Sequence, residues 1–244
     1  MKPFLILQLR PEDEAADGEY RAILKKGGLD SRRAVRVRLE RDGLPEGLSL
    51  DDFAGVVVGG GPGCVSDAPE EKSVDEARAE AAMLTLMPEI TARDIPFMGC
   101  CYGIGILAYH LGGEVSKARY GEPVGPVACE VTEDGARDPL LQGLPRGFNV
   151  LVGHKEAVQA LPPGTVHLMS SEPCPFQMIR HGENVYATQF HPEADGDVFA
   201  ERIRVYKHRG YFPPEAADSL TQAVYEADVS TPPDILRRFF SRYG

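Results

Sequence analysis

Short apolar runs alternate with stretches of helical period along this chain, and that alternation predicts an α/β fold with a largely parallel sheet. Phe4–Leu9 is an apolar run of strand length. Ala34–Leu39 alternates strictly, which predicts a strand with Val35, Val37 and Leu39 inward and Arg36 and Arg38 on a solvated face. Gly55-Val56-Val57-Val58 is continuously apolar, the pattern of a strand buried on both sides. Ser73-Val74-Asp75-Glu76 spells a capping box, so a helix is predicted from there to about Arg93. Its apolar positions include Ala77, Met83, Leu84, Leu86 and Met87, and Pro88 is placed to kink or split it. A strand at Pro96–Met98 and a helix ending near Gly112-Gly113 follow.

From Val115 to about Val152 the chain is rich in Gly, Pro and β-formers, which predicts antiparallel ribbons. Thr165–Met169, Phe176–Ile179 and Asn184–Phe190 read as further strands, with Arg180–Asn184 as the hairpin turn between the last two. A helical region follows Asp195. The proline-punctuated segment Gly210–Pro214 then introduces a tail ending in Ile235–Phe240. With no internal repeat and no convincing linker, residues 1–244 are expected to form a single domain.

Composition narrows the chemistry. A net charge of −11 argues against a nucleic-acid binder, which would carry a clustered basic surface. No apolar run approaches the roughly 20 residues that span a bilayer. Met1–Arg10 resembles a charged leader only superficially, because its apolar part is too short and no small-residue cleavage site follows. Five cysteines without regular spacing suggest neither a disulfide framework nor a zinc site, and a reducing cytoplasm is the expected compartment. No cluster spells a metal site, no P-loop pattern is present, and no cofactor is expected.

Three motifs carry reactive potential. In Gly99-Cys100-Cys101-Tyr102-Gly103, a nucleophile has a glycine two residues away on each side, between a strand and a helix. Small flanking residues let the backbone fold tightly and push the central side chain, Cys101 and not Cys100, out of the sheet. In His191-Pro192-Glu193, the proline biases His191 towards an extended backbone, where side chains two apart share a face. Glu193 can then hold one imidazole nitrogen while the other faces a partner. Gly59-Gly60-Gly61-Pro62-Gly63, directly after a buried strand, can bring backbone N–H groups close to developing negative charge.

Together these motifs resemble the class I (triad-type) glutamine amidotransferases, in a free-standing form similar to the amidotransferase domain of GMP synthase. Val57–Gly63 looks like the family's oxyanion strand, and Cys101-Tyr102-Gly103 with Leu107-Ala108 and Leu111-Gly112-Gly113 like its elbow and helix. Gly153–Val158, Leu161–Gly164 and Ser170–Pro173 resemble the segment between elbow and histidine, and Gln189–Glu193 the closing motif. The resemblance implies a flavodoxin-like three-layer fold with a small antiparallel sheet. It implies Cys101 as nucleophile, His191 as proton acceptor and Glu193 as its orienting partner. The N–H groups of Gly61 and Tyr102 would form the oxyanion hole, with Gly63 near the substrate. The helix N-terminus and His191 are both expected to favour a Cys101 thiolate.

The family's elbow continues from its second glycine as x-Gln, and that glutamine helps bind the substrate; here the positions are Ile104 and Gly105. Loss of such a hydrogen bond costs on the order of 1–3 kcal/mol. Restoring glutamine at Gly105 is therefore expected to tighten glutamine binding if the position faces the substrate. The implied function is hydrolysis of the side-chain amide of glutamine, or of a related γ-glutamyl amide, through a γ-glutamyl thioester. The implied partner is a separate synthase that receives ammonia. A γ-glutamyl peptidase or hydrolase with the same triad is the first alternative, and a catalytically weak binding or regulatory subunit the second. The oligomeric state is not legible. Among the remaining residues, Cys100 reads as core and Cys64 as a loop residue near the oxyanion segment. Cys129 and Cys174 carry no motif, His154 borders the implied site, and His110, His167, His181 and His208 read as surface or helix residues.

Overall fold

The computed structural model describes residues 1–209 and 211–244; Gly210, the first residue of the segment preceding the tail, lies outside the described residues. Strand β1 (Phe4–Gln8) is buried along its whole length and pairs in parallel with β2 (Ala34–Arg38) on one side and β3 (Gly55–Val58) on the other. Next to β3 lie β4 (Phe97–Cys100) and then β11 (Val185–Thr188), again parallel. Beyond β11 the pairing turns antiparallel through β10 (Met178–His181), β9 (Thr165–Ser171), β6 (Glu122–Val131) and β7 (Gly147–His154). The nine-stranded sheet is thus mixed, and the ribbons expected over Val115–Val152 extend it through the β6–β7 pair. A separate two-stranded antiparallel sheet joins β5 (Val115–Ser116) to β8 (Ala157–Val158).

Alternation along the parallel strands explains the helical layers. Leu5, Leu7, Val56 and Val58 pack with Met83 of α3 (Val74–Ala92) and Ile106 of α4 (Tyr102–His110). Phe4, Ile6 and Val57 point the other way, onto Ile23 of α1 (Asp13–Gly27) and Ile235 and Phe239 of α7 (Pro232–Tyr243). Beside them α5 (Gly196–Tyr206) and α6 (Ala217–Glu226) pack Phe199, Ile203 and Val224 against Leu151 of β7. The expected capping box is formed: Glu76 N–H donates to Ser73 Oγ at 3.2 Å, and Ser73 N–H to Glu76 Oε2 at 2.9 Å. Pro88 lies inside α3, which continues past it to Ala92.

Strand β2 corrects the sequence reading. Val35 is exposed, while Arg38 is buried. The strand sits at the sheet edge beside α1, whose acidic first turn offers Asp13 to Arg38, and Arg38 also donates to the carbonyl of Arg10. Asp13, Glu40 of α2 (Leu39–Asp42) and that carbonyl stabilise the guanidinium where alternation alone placed it in solvent. No helix among the described residues is long and apolar enough to cross a membrane.

Candidate functional site

Strands β3, β4 and β11 are neighbours and parallel, so the segments that follow them leave the sheet at one edge. Those segments are Gly59–Gly63, Cys101 and Gln189–Glu193. Open α/β sheets place ligands at such carboxyl ends. The three sequence motifs are therefore brought together by topology.

At the elbow, Cys101 has φ 55° and ψ −96°, one of three non-glycine residues with positive φ among the described residues. Strain of this kind persists where surrounding structure enforces it. Cys101 N–H donates to the carbonyl of Thr188 at 2.7 Å, and its carbonyl accepts from Ile104 N–H at 3.1 Å. Gly99 and Gly103 meet at the turn: a Cβ on Gly99 would lie 3.0 Å from the backbone of Gly103. Gly99 thus meets a steric demand, whereas a Cβ on Gly103 would find only Val58, at 3.9 Å. Cys100 is fully buried in the core beneath, and Cys101 forms the N-terminal boundary of α4.

His191 Nδ1 lies 2.8 Å from Glu193 Oε1, as the His-Pro-Glu spacing anticipates. Three residues that the sequence did not single out complete the arrangement. Arg202 of α5 donates to Glu193 Oε1 at 2.8 Å and approaches Glu19 Oε2 at 3.6 Å. Glu19 of α1 is fully buried and accepts from Arg10 Nε at 2.7 Å, from Gln8 Nε2 at 3.0 Å and from Gly60 N–H at 3.1 Å. This network ties the glycine loop to the histidine. Gly60 must lack a side chain, because a Cβ there would lie 2.6 Å from His191 Cε1 and 2.7 Å from Arg10 Nη2. Glu19, His191 and Glu193 are close enough to suggest a cation site, but the two guanidinium groups already engage both carboxylates.

Gly61 packs against Tyr102, where a Cβ on the glycine would lie 3.3 Å from the tyrosine ring, so the two residues expected to supply the oxyanion donors are in contact. Gly63 lies against the outer part of the same ring. Tyr102 is anchored by its hydroxyl, which donates to Glu80 Oε2 at 2.6 Å. Cys101 and Gly61 each line two neighbouring cavities. The first is lined also by Tyr102, Cys64, Gly105, His154, Lys155 and Glu156, and the second by His191, Arg10 and Arg202. Tyr211 borders both and donates to the carbonyl of Pro62 at 2.8 Å.

The position of the missing family glutamine is occupied from elsewhere. A Cβ at Gly105 would lie 2.8 Å from Glu156 Oε1. The Glu156 carboxylate accepts from Val65 N–H, Ser66 N–H and Ser66 Oγ, at 2.9, 2.9 and 2.7 Å. His154 does not offer a free ring nitrogen: Nδ1 meets the carbonyl of Glu156 and Nε2 meets Glu122 Oε2, both at 2.8 Å. It positions the Glu156 loop. Cys129 and Cys174 are buried in the antiparallel half of the molecule, and all five cysteines are unpaired.

Burial governs the protonation states. It pushes the Cys101 thiol up to about 11, although Arg10 and Arg202 pull the other way. Burial, reinforced by Arg202, pushes His191 down to about 4, against the opposing pull of Glu193. Burial would raise Glu193, but His191 and Arg202 together hold its carboxyl well below the usual carboxylate range. At neutral pH the resting pair is a neutral thiol and a neutral imidazole, so the expected thiolate is not the resting form. Desolvation outweighs the pull of the two guanidinium groups. Alkylation of Cys101 by iodoacetamide is accordingly expected to accelerate from pH 7 up to about pH 11. Peptide mass mapping across pH checks this, and a plateau already at about pH 7 would show a resting thiolate.

Residues 23–204 match the family model described as glutamine amidotransferase class-I. The chain is 35% identical over 152 residues to a glutamine-hydrolyzing GMP synthase of Thermosipho melanesiensis, covering 61% of this chain and 26% of that protein. It therefore spans about a quarter of the length of such relatives. It is 28% identical over 191 residues to one subunit of the glutamine-hydrolyzing GMP synthase of Pyrococcus abyssi, covering 74% of this chain and 93% of that one. In three dimensions it is similar to a glutamine amidotransferase of Thermotoga maritima, with a TM-score of 0.79, 20% identity, and coverage of 100% and 98% of the two chains.

Proposed function

This chain belongs to the class-I glutamine amidotransferases, and from that premise we propose that it hydrolyses the side-chain amide of glutamine, or a related γ-glutamyl amide, through Cys101, His191 and Glu193. The observation that carries this reading is the junction of the strained Cys101 elbow with a cavity lined by a His191 held 2.8 Å from Glu193. As the Cys101 sulfur attacks the amide carbon, its proton passes to His191, and Glu193 stabilises the imidazolium formed. The N–H groups of Gly61 and Tyr102 receive the oxyanion, with Gly63 supporting Tyr102. Collapse breaks the C–N bond, and His191 returns the proton to the departing nitrogen. Water then attacks the γ-glutamyl thioester with His191 again as base, releasing glutamate and the free thiol.

Residues 1–244 act in this reading as one domain, in a reducing, cytoplasmic setting suited to five free thiols. The relative named as one subunit of a GMP synthase supports delivery of the ammonia to a synthase on another chain. A binding or regulatory subunit without turnover fits less well, because the Glu19–Arg10–Arg202 network would then stabilise a histidine with no task. The test is incubation with L-glutamine, with ammonia and glutamate measured separately and the Cys101 peptide examined for a γ-glutamyl adduct after an acid quench. Equal yields and an adduct on Cys101 are expected. Absence of both, with glutamine and with other γ-glutamyl amides, overturns the reading.

The geometry at Gly105 reverses the effect expected from its restoration to glutamine. A side chain there meets Glu156 Oε1, the group that holds Val65 and Ser66. Gly105→Gln is expected to raise KM for glutamine about tenfold by displacing Glu156, with a smaller effect on kcat. A fall in KM in steady-state assays would return position 105 to direct substrate recognition.

A further inference from the structure

Outside the first cavity lies a wider surface cleft of about 320 Å³, whose walls include Gly121, Pro123, Val124, Gly153, Lys155 and Tyr211. Gly153, Lys155 and Tyr211 also line the first cavity, together with Cys101, Tyr102 and Glu156. Small-molecule sites begin at roughly 300 Å³, so the cleft has the size of one. The side-chain amide of glutamine has to reach Cys101, which leaves the other end of the molecule, with its α-ammonium and α-carboxylate, at the mouth shared by cavity and cleft.

Lys155 stands at that mouth. It is exposed between the buried His154 and Glu156. Its Nζ lies 4.4 Å from the centroid of the Tyr211 ring, and Tyr211 is itself fixed by the hydrogen bond from its hydroxyl to the carbonyl of Pro62. Lys26, Lys72 and Lys117 are paired with Asp195, Glu80 and Asp67, whereas no carboxylate lies within ion-pair distance of Lys155 among the described residues. An aromatic face attracts an ammonium without neutralising it, so Lys155 is oriented over the mouth with its charge still available. One residue further in, the Glu156 carboxylate is held by Val65 and Ser66 and likewise has no cation within ion-pair distance among the described residues. The order of charges is therefore negative inside and positive at the rim. It draws an ammonium inward and a carboxylate to Lys155.

We propose that Lys155, oriented by Tyr211, is a specificity-determining residue that reads the α-carboxylate of the substrate. The proposal rests on the thioester reading above and names the part of the substrate recognised: a γ-amide with a free α-carboxylate, in preference to one whose α-carboxylate is masked as a neutral amide. The α-carboxylate takes no part in the bond changes at Cys101. Its pairing with Lys155 is equally strong in the ground state and the transition state, so its loss acts on KM and not on kcat. Because Lys155 is exposed, the pairing is screened by salt, and KM for glutamine is expected to rise with ionic strength.

The test compares L-glutamine with L-glutaminamide as substrates of the whole chain, with ammonia and the amino-acid product both quantified. A kcat/KM for glutamine about tenfold or more above that for glutaminamide is expected. Lys155→Met is expected to lower the glutamine-to-glutaminamide ratio about tenfold, through KM for glutamine, and Lys155→Arg to keep most of it. Tyr211→Phe retains the ring and the ratio, whereas Tyr211→Leu removes the aromatic face and lowers the ratio. Equal kcat/KM for the two substrates in the wild type overturns the proposal and leaves the thioester reading intact. The same follows if Lys155→Met leaves the ratio unchanged, or if its effect falls on kcat alone. No turnover of either substrate and no Cys101 adduct fails both readings.

Discussion

Cys101→Ala is expected to lower glutamate release by on the order of 10⁴-fold or more, the scale seen when a nucleophile is removed from a concerted site. Cys100→Ala is expected to keep activity within about threefold per folded molecule. The two thiols are adjacent in sequence and both buried, so chemistry alone does not separate them. Geometry does. Cys100 belongs to β4, pairs in register with Thr188, and packs in the core with Met98 and Tyr186. Burial raises its thiol well above the ordinary value, with Glu193 and Glu19 adding to the effect. Cys101 instead takes positive φ, lines both cavities and feels Arg10 and Arg202. Truncating Cys100 costs on the order of 1 kcal/mol of packing, read as a modest fall in Tm. Activity lost with Cys100 and retained without Cys101 would overturn the elbow assignment.

The elbow was legible because its requirement is steric and local. Gly99 has no room for a side chain against the backbone of Gly103, and these two glycines stand two residues either side of Cys101. The Ser73–Glu76 box and the buried run at Val56–Val58 were legible for the same reason, since neighbours in sequence satisfy each other. Arg10, Glu19 and Arg202 were not. Arg10 follows β1, Glu19 lies on α1 and Arg202 on α5, and a single charged residue in a loop or on an amphipathic helix looks like any solvated one. The acidic start of α1 and its Ala15, Ala16, Ala22 and Ile23 could have revealed that helix, but not which carboxylate turns inward. Nor could alternation show that Arg38 would find Asp13 and Glu40 under the sheet edge. A helix terminus is visible in sequence, whereas the desolvation that raises the Cys101 thiol follows only from the packed layers.

Arg202→Met is expected to destabilise the protein by about 3–5 kcal/mol, the scale of removing one partner from a buried ion pair. The side chain is buried, and its loss leaves Glu193 without a guanidinium donor and Glu19 with Arg10 as its remaining cation. A second effect distinguishes positioning from mere packing. Burial first, and Arg202 after it, hold His191 at about 4, below its ordinary 6.5. Because that pKa is depressed, the stability it contributes is fully present above 6.5 and is lost as pH falls towards about 4. Removing the neighbouring positive charge raises the pKa of His191, so the imidazole protonates earlier on acidification. The acid limb of kcat/KM is therefore expected to move to higher pH, while the fall in Tm between pH 6.5 and 4 becomes shallower relative to the variant's own maximum. Arg202→Lys keeps the charge but not the planar fork, and is expected to restore the position of the acid limb more fully than the stability. A purely structural Arg202 would lower Tm in both variants and leave the acid limb where the wild type has it.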